Sequence, residues 1–152
     1  MSSILITSAG KRVSLVKAFQ TELQKLIPEA KVITTDANPE LSATCTVADD
    51  YFKVPRLDHP SYINELISNC TSRNINLVIP TIDTELLILA ENRDKLLSHG
   101  INSVISSENF INKCRDKRLT HSFFSQNNIE TPKEYSKDNY KLPVFIKPVD
   151  GS

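Results

Sequence analysis

Three stretches carry residues that could do chemistry. The last, Leu142-Pro143-Val144-Phe145-Ile146-Lys147-Pro148-Val149-Asp150-Gly151-Ser152, sets Lys147 at the end of an apolar run and follows it with Asp-Gly-Ser. A strand-end lysine ahead of a glycine-serine turn suits a polyphosphate. The ammonium offsets phosphate charge, and a flexible loop lets backbone N–H groups approach the oxygens. A solvated lysine beside an ordinary turn fits the same residues.

Near the start, Thr7-Ser8-Ala9-Gly10-Lys11-Arg12 joins a second apolar run to a helical pattern. A glycine there lets N–H groups face outward at a positive helix end, which suits an anion or a carboxylate. Lys11 and Arg12 oppose the helix dipole unless something negative sits close by, and a solvated helix start is the other reading. In the third stretch, Asp83 and Glu85 bracket a helix start. Acids are favourable in a first turn, so capping explains them, but their place at a strand end also makes them candidates for a substrate amine. Asp36, closing another short apolar run, could meet a ribose hydroxyl or serve as a turn residue.

Other chemistries find no support. Three glycines in the whole chain leave no room for a dinucleotide fingerprint, and Gly10-Lys11 has neither the earlier glycine nor the following hydroxyl of a Walker-type loop. His59, His99 and His121 are scattered, and no triad or metal set can be assembled from them. Cys45, Cys70 and Cys114 lack paired metal spacing and are odd in number, which argues against a disulfide framework. Small buried apolar roles are expected for them. The cations Lys113, Arg115, Lys117 and Arg118 read first as a solvated face.

The elements that must position these residues are legible from periodicity. Ile4–Thr7, Lys31–Thr35, Tyr51–Val54, Leu77–Ile79 and Ser103–Ile105 read as short strands, with Val144–Ile146 as a further buried one. Between them lie helical patterns over about 12–27, one carrying Ile63, Leu66, Ile67 and Cys70, and one over about 84–97 with Leu86, Leu89, Ala90, Leu96 and Leu97 inward. Leu15, Val16, Phe19, Leu23, Leu26 and Ile27 form the apolar face of the first. Ser106 or Ser107 can cap a short helix through Cys114, and Asp116 begins another. Asn127-Asn128 can supply the left-handed residue that ends it, with Ile129 folding back.

Strands apolar on both faces, alternating with amphipathic helices, predict a parallel sheet covered on both sides. Residues 1–115 are thus expected to be a doubly wound, Rossmann-like α/β domain of about five strands. Ligands in such folds bind beyond the carboxyl ends of the strands, where Gly10, Lys11, Arg12, Asp36, Asp83 and Glu85 fall. Residues 116–152 look like the opening of a second domain.

Composition narrows the function classes. Hydrophobic residues make up 39% and charged residues 24%, and Lys plus Arg equals Asp plus Glu at 18 each. No global field invites nucleic acid or an anionic membrane. Neither a signal peptide nor a membrane-spanning run is visible. A cytoplasmic setting is the expectation.

Taken in order, Asp116-Lys117-Arg118-Leu119-Thr120, Phe123-Phe124, Asn128-Ile129-Glu130-Thr131-Pro132 and Val144-Phe145-Ile146-Lys147-Pro148 resemble ATP-grasp enzymes. The branch they are most similar to is that of the carbamoyl-phosphate synthetase large subunit. The Thr7–Arg12 turn and Ile79-Pro80-Thr81-Ile82-Asp83-Thr84-Glu85 resemble that branch's N-terminal domain. This sequence has Asn128-Ile129-Glu130 where Gly-Ile-Pro is commoner. Asparagine tolerates the same left-handed geometry.

The resemblance implies an ATP- and magnesium-dependent ligase that activates a carboxylate and joins it to an amine. It implies that Lys117 and Lys147 contact the phosphates of ATP and that Gly151 and Ser152 begin a loop over them. Residues 1–115 would be a pre-ATP-grasp domain that shapes the substrate pocket, and 116–152 the beginning of the ATP-grasp domain. The acids that hold magnesium and the segment that grips adenine have no match here, so the chain would be an inactive N-terminal fragment. Family members are often homodimers. A flavodoxin-like module that binds a small molecule or a partner without catalysis is the alternative.

Overall fold

The computed structural model describes residues 3–149. They divide into two compact units that part between Ser106 and Ser107. The division lies one short helix ahead of the boundary expected near Arg115, because that helix packs on its successor in the second unit.

The first unit alternates strand and helix. Its strands are β1 (Ser3–Thr7), β2 (Val32–Asp36), β3 (Asp50–Lys53), β4 (Ile75–Pro80) and β5 (Asn102–Ser103). Its helices are α1 (Val13–Leu26), α2 (Ala43–Val47), α3 (Tyr62–Ser72), α4 (Asp83–Glu91) and α5 (Arg93–Ser98). The strands form one parallel sheet in the order β3-β2-β1-β4-β5. The doubly wound α/β fold expected from the periodicity is the fold found.

Strand alternation explains how one sheet builds two cores. Leu5, Ile33, Phe52 and Val78 face one side and pack with Tyr62, Leu66 and Cys70 of α3, Leu89 of α4 and Leu96 of α5. Ile4, Ile6 and Val32 face the other, against Val16, Leu15, Phe19 and Leu23 of α1. Burying a Leu- or Ile-sized side chain contributes about 1.5–3 kcal/mol, so these layers fix the sheet from both faces.

Three expectations need correction. The helix expected over 84–97 is two helices, interrupted at Asn92, whose side chain donates to the Ile88 carbonyl (2.9 Å). That bond to the preceding turn offers the backbone an alternative to a continued helix. Leu97 consequently points outward and is exposed. Leu26 and Ile27 are exposed as well, Leu26 as the last residue of α1 and Ile27 as its C-cap. Cys45 and Cys70 are buried as expected, but Cys114 is exposed.

The second unit holds α6 (Glu108–Arg115) and α7 (Lys117–Gln126). Ser107 caps α6 by accepting from the Phe110 N–H (3.3 Å), and Asp116 caps α7 by accepting from the Arg118 N–H (2.9 Å). Phe110 and Phe123 meet edge to face, with ring centres 5.9 Å apart. Asn128 is left-handed (φ 56°), and the Ile129 N–H reaches back to the Phe124 carbonyl (2.9 Å). The expected helix stop is therefore present.

Val144–Ile146, expected to be a buried strand, forms no strand, and Phe145 and Ile146 are 87% and 88% exposed. A strand needs a neighbour's backbone to pair with, and the described part of this unit offers no strand to that run.

Candidate functional site

β1 and β4 are adjacent in the sheet, yet the chain leaves β1 toward β2 and leaves β4 toward β5. Connections therefore diverge at their carboxyl ends, and in doubly wound sheets the crevice at such a switch point is where ligands bind. The residues following β1 line one side of it, and those following β4 the other.

The β1 side is the turn Ser8-Ala9-Gly10. Ser8 (φ 51°) and Gly10 (φ 54°) both occupy the left-handed region, which a glycine enters freely and a serine does not. The Arg12 N–H returns to the Ala9 carbonyl (2.9 Å), and α1 starts immediately afterwards. No side chain caps α1, and no acid sits in its first turn. Lys11 and Arg12 are exposed beside this positive helix end.

Two clamps hold the turn. From one flank, Gly10 presents its carbonyl to the Thr44 N–H (3.1 Å) and the Ser42 hydroxyl (3.3 Å), at the start of α2. From the other, the Thr81 hydroxyl lies 2.9 Å from the Thr7 carbonyl and 2.8 Å from the Ser8 carbonyl. The same oxygen receives a long bond from Arg12 Nη1 (3.4 Å), which aligns that guanidinium along the crevice.

Beneath the turn lies Glu85, 0% exposed. Its Oε2 accepts from Thr7 Oγ1 (2.8 Å) and Ser8 Oγ (3.2 Å), and its Oε1 accepts from the hydroxyl of Tyr62 (2.6 Å), itself 2% exposed. Burial pushes the Glu85 carboxyl above the ordinary carboxylate range, while the three donors pull the other way. Burial, then the adjoining Glu85 charge, pushes the Tyr62 phenol upward too.

The sequence-derived candidates of the first unit take different positions. Gly10, Lys11 and Arg12 form the surface of the crevice. Asp83 opens α4 and is exposed, its carboxylate accepting from the Thr84 N–H (3.0 Å). Asp36 ends β2 and accepts from the Asn38 N–H (3.0 Å), the turn role weighed against a ribose contact. Glu85 departs from expectation. Instead of facing a substrate amine, it is buried, and its two oxygens are taken up by hydroxyls.

In the sequence, Thr7, Ser8 and Thr81 stand out only as parts of longer motifs, and Tyr62 does not stand out at all. Tyr62 precedes the Ile63, Leu66, Ile67 and Cys70 face of α3, and its bond to Glu85 on α4 forms only through the fold.

In the second unit, Lys117 opens α7, and its N–H donates to the Val149 carbonyl (3.0 Å). The backbone carrying Lys147, which is exposed, therefore returns to the start of the helix carrying Lys117. Gly151 and Ser152 lie outside the described residues. Among the described residues, no group of three His, Cys, Asp or Glu side chains is placed to hold a metal ion, and no helix is long and apolar enough to cross a membrane.

A five-stranded parallel sheet with its switch point between β1 and β4, followed there by an uncapped helix with two cations, defines a doubly wound α/β domain. A family profile narrows this further. The profile described as "PylC-like, N-terminal domain" matches residues 4–105. The chain belongs to that family, an N-terminal domain of the ATP-grasp enzymes.

Among solved structures, the chain is similar to a single-chain, multi-domain long-chain acyl-CoA carboxylase (TM-score 0.60, 16% identity), over 88% of this chain and 14% of that one. It is similar also to the biotin carboxylase domain of a single-chain bacterial carboxylase (TM-score 0.56, 14% identity), over 94% of this chain and 32% of that one. These likenesses establish the fold, and this chain spans a minor part of each of those proteins. No curated protein matches.

Proposed function

We propose that this chain forms the N-terminal, substrate-shaping part of an ATP-dependent ATP-grasp ligase resembling the carbamoyl-phosphate synthetase large-subunit branch. The observation that carries the reading is the crevice between the ends of β1 and β4 in a PylC-like N-terminal domain. There, an uncapped helix start, Lys11 and Arg12 supply positive potential for a substrate carboxylate. Exposed Asp83, across the crevice, supplies a negative group for an amine. Asp36 serves the turn.

Lys117 and Lys147 suit part of a nucleotide's phosphate chain, as two cations that the α7 start and the returning Val149 segment hold in one unit. Bound ATP with magnesium would supply the phosphoryl group that turns a carboxylate into an acyl phosphate, which an amine then displaces. The described residues offer no acidic cluster for magnesium, so this stretch alone is expected to be inactive and to bind ATP weakly. Three free thiols and balanced charge suit a cytoplasmic enzyme of small molecules without nucleic acid or membrane partners, and the ATP-grasp resemblance is the ground for proposing a homodimer.

The test is ADP release by the full-length protein with a panel of carboxylate–amine pairs. ADP formation that requires both partners supports the reading, with hydroxylamine trapping the activated acyl group. No ADP formation with any pair, together with no ATP binding by calorimetry, refutes it.

A further inference from the structure

A carboxylate buried to 0% exposure is costly to desolvate, a cost that a neutral amide or apolar side chain largely avoids. What Glu85 does that such residues cannot is accept three hydroxyls at once. Two of these, Thr7 Oγ1 and Ser8 Oγ, belong to consecutive residues at the entrance of the crevice turn, and the third is Tyr62 on α3.

Ser8 is the strained residue of that turn, at φ 51°. All three of its polar groups are held. Its N–H donates to the Thr35 carbonyl (3.1 Å), its carbonyl accepts from Thr81 (2.8 Å), and its hydroxyl reaches Glu85 (3.2 Å). Strain of this kind persists only where the surroundings over-determine it.

We propose that Glu85, held in place by Tyr62, is the positioning residue that keeps Ser8 left-handed and so sets the Ser8–Arg12 turn in its ligand-receiving shape. Glu85 touches no ligand in this arrangement and acts through Thr7 and Ser8. The turn then presents Lys11, Arg12 and the α1 start in one fixed register, so that binding does not have to order it. The inference rests on the reading of the crevice as the substrate site.

The experiment uses Glu85→Gln, which keeps the side chain's shape but turns one acceptor into a donor facing hydroxyls. Two measurements follow. In the 152-residue chain, NMR couplings across the Ser8 Cα report its φ, and amide exchange at Ser8 is compared with that at Leu5. Ser8 is expected to leave the left-handed region, its exchange rising about tenfold while Leu5 changes little. In the full-length enzyme, the apparent constant for the carboxylate substrate is expected to rise about tenfold with kcat changed much less, the mark of lost uniform binding.

A folded Glu85→Gln chain with Ser8 unmoved overturns the proposal. A moved Ser8 with an unchanged substrate constant supports the positioning role and overturns the crevice assignment instead. Should Glu85→Gln fail to fold, Tyr62→Phe is read the same way: a loosened Ser8 supports the relay, and an unmoved one overturns it.

Discussion

Replacing Tyr62 with phenylalanine isolates one buried bond while leaving the ring that packs in the core of the first unit. The bond removed is short (2.6 Å), its acceptor Glu85 is wholly buried, and no solvent stands ready to replace the lost donor. Once pH has risen far enough to ionise Glu85, a hydrogen bond to this charged acceptor contributes about 1.5–3 kcal/mol. Thr7 and Ser8 still donate to the other carboxylate oxygen, which places the expected loss near the middle of that range, about 2 kcal/mol. For a chain of this size that corresponds to roughly 4–8 °C in Tm.

The pH dependence has a definite sign. Glu85 is raised from its ordinary value of 4.5, so the folded state holds its proton more tightly than the unfolded chain. The stability that neutral Glu85 contributes is complete below that value and is lost as pH rises through the higher folded value. Removing the Tyr62 hydroxyl takes away a donor that favours the ionised form and raises Glu85 further. The penalty of Tyr62→Phe should therefore be smallest near the ordinary value and grow with rising pH. Native-state hydrogen exchange at Leu5 and Val78 reads the first unit by itself. A penalty under about 0.5 kcal/mol, the scatter of an ordinary surface substitution, or one that shrinks as pH rises, would refute this reasoning.

Two further outcomes are expected. With a thiol reagent under native conditions, Cys114 should react promptly and Cys45 and Cys70 only on unfolding, since both are buried and burial pushes the Cys70 thiol up to about 12. Prompt reaction of either buried thiol would contradict the packing of α2 or α3. Asp116→Ala should speed amide exchange at Arg118. In the native chain the Asp116 carboxyl, held by Arg118 down to about 2, should keep its cap bond as pH falls past its ordinary value of 3.8, losing it only as pH passes through the lower one. An Asp116 carboxyl carbon titrating near its ordinary value in NMR would contradict the cap.

The layers of the fold were legible because each rests on a local period. Strands apolar on both faces require helices on both faces, and the positions of Ile4, Ile6, Ile33 and Val78 already declare that. Caps were legible for the same reason: Ser107, Asp116 and Asn128 act on neighbours a few residues away. What local pattern cannot show is which apolar positions find something to pack on. Leu26 and Leu97 lie in helices yet are left exposed, Ile27 has already left the helical conformation, and Val144–Ile146 has strand composition without a strand beside it among the described residues. The crevice was partly legible, since strand ends mark where Lys11, Arg12 and Asp83 must fall. Glu85 was misread because its partners Thr7, Ser8 and Tyr62 come to it only through the fold, and an acid in a first turn looks the same in sequence whether it faces solvent or a hydroxyl cluster.

Arg12→Ala tests the central claim most directly, because Arg12 is exposed and the side-chain bond it makes among the described residues is a long one to Thr81. In the full-length enzyme the account predicts that the apparent constant for the carboxylate substrate rises about tenfold or more, the loss of one charge-assisted contact, while the constant for ATP stays nearly unchanged. A raised ATP constant with an unaltered substrate constant would contradict it.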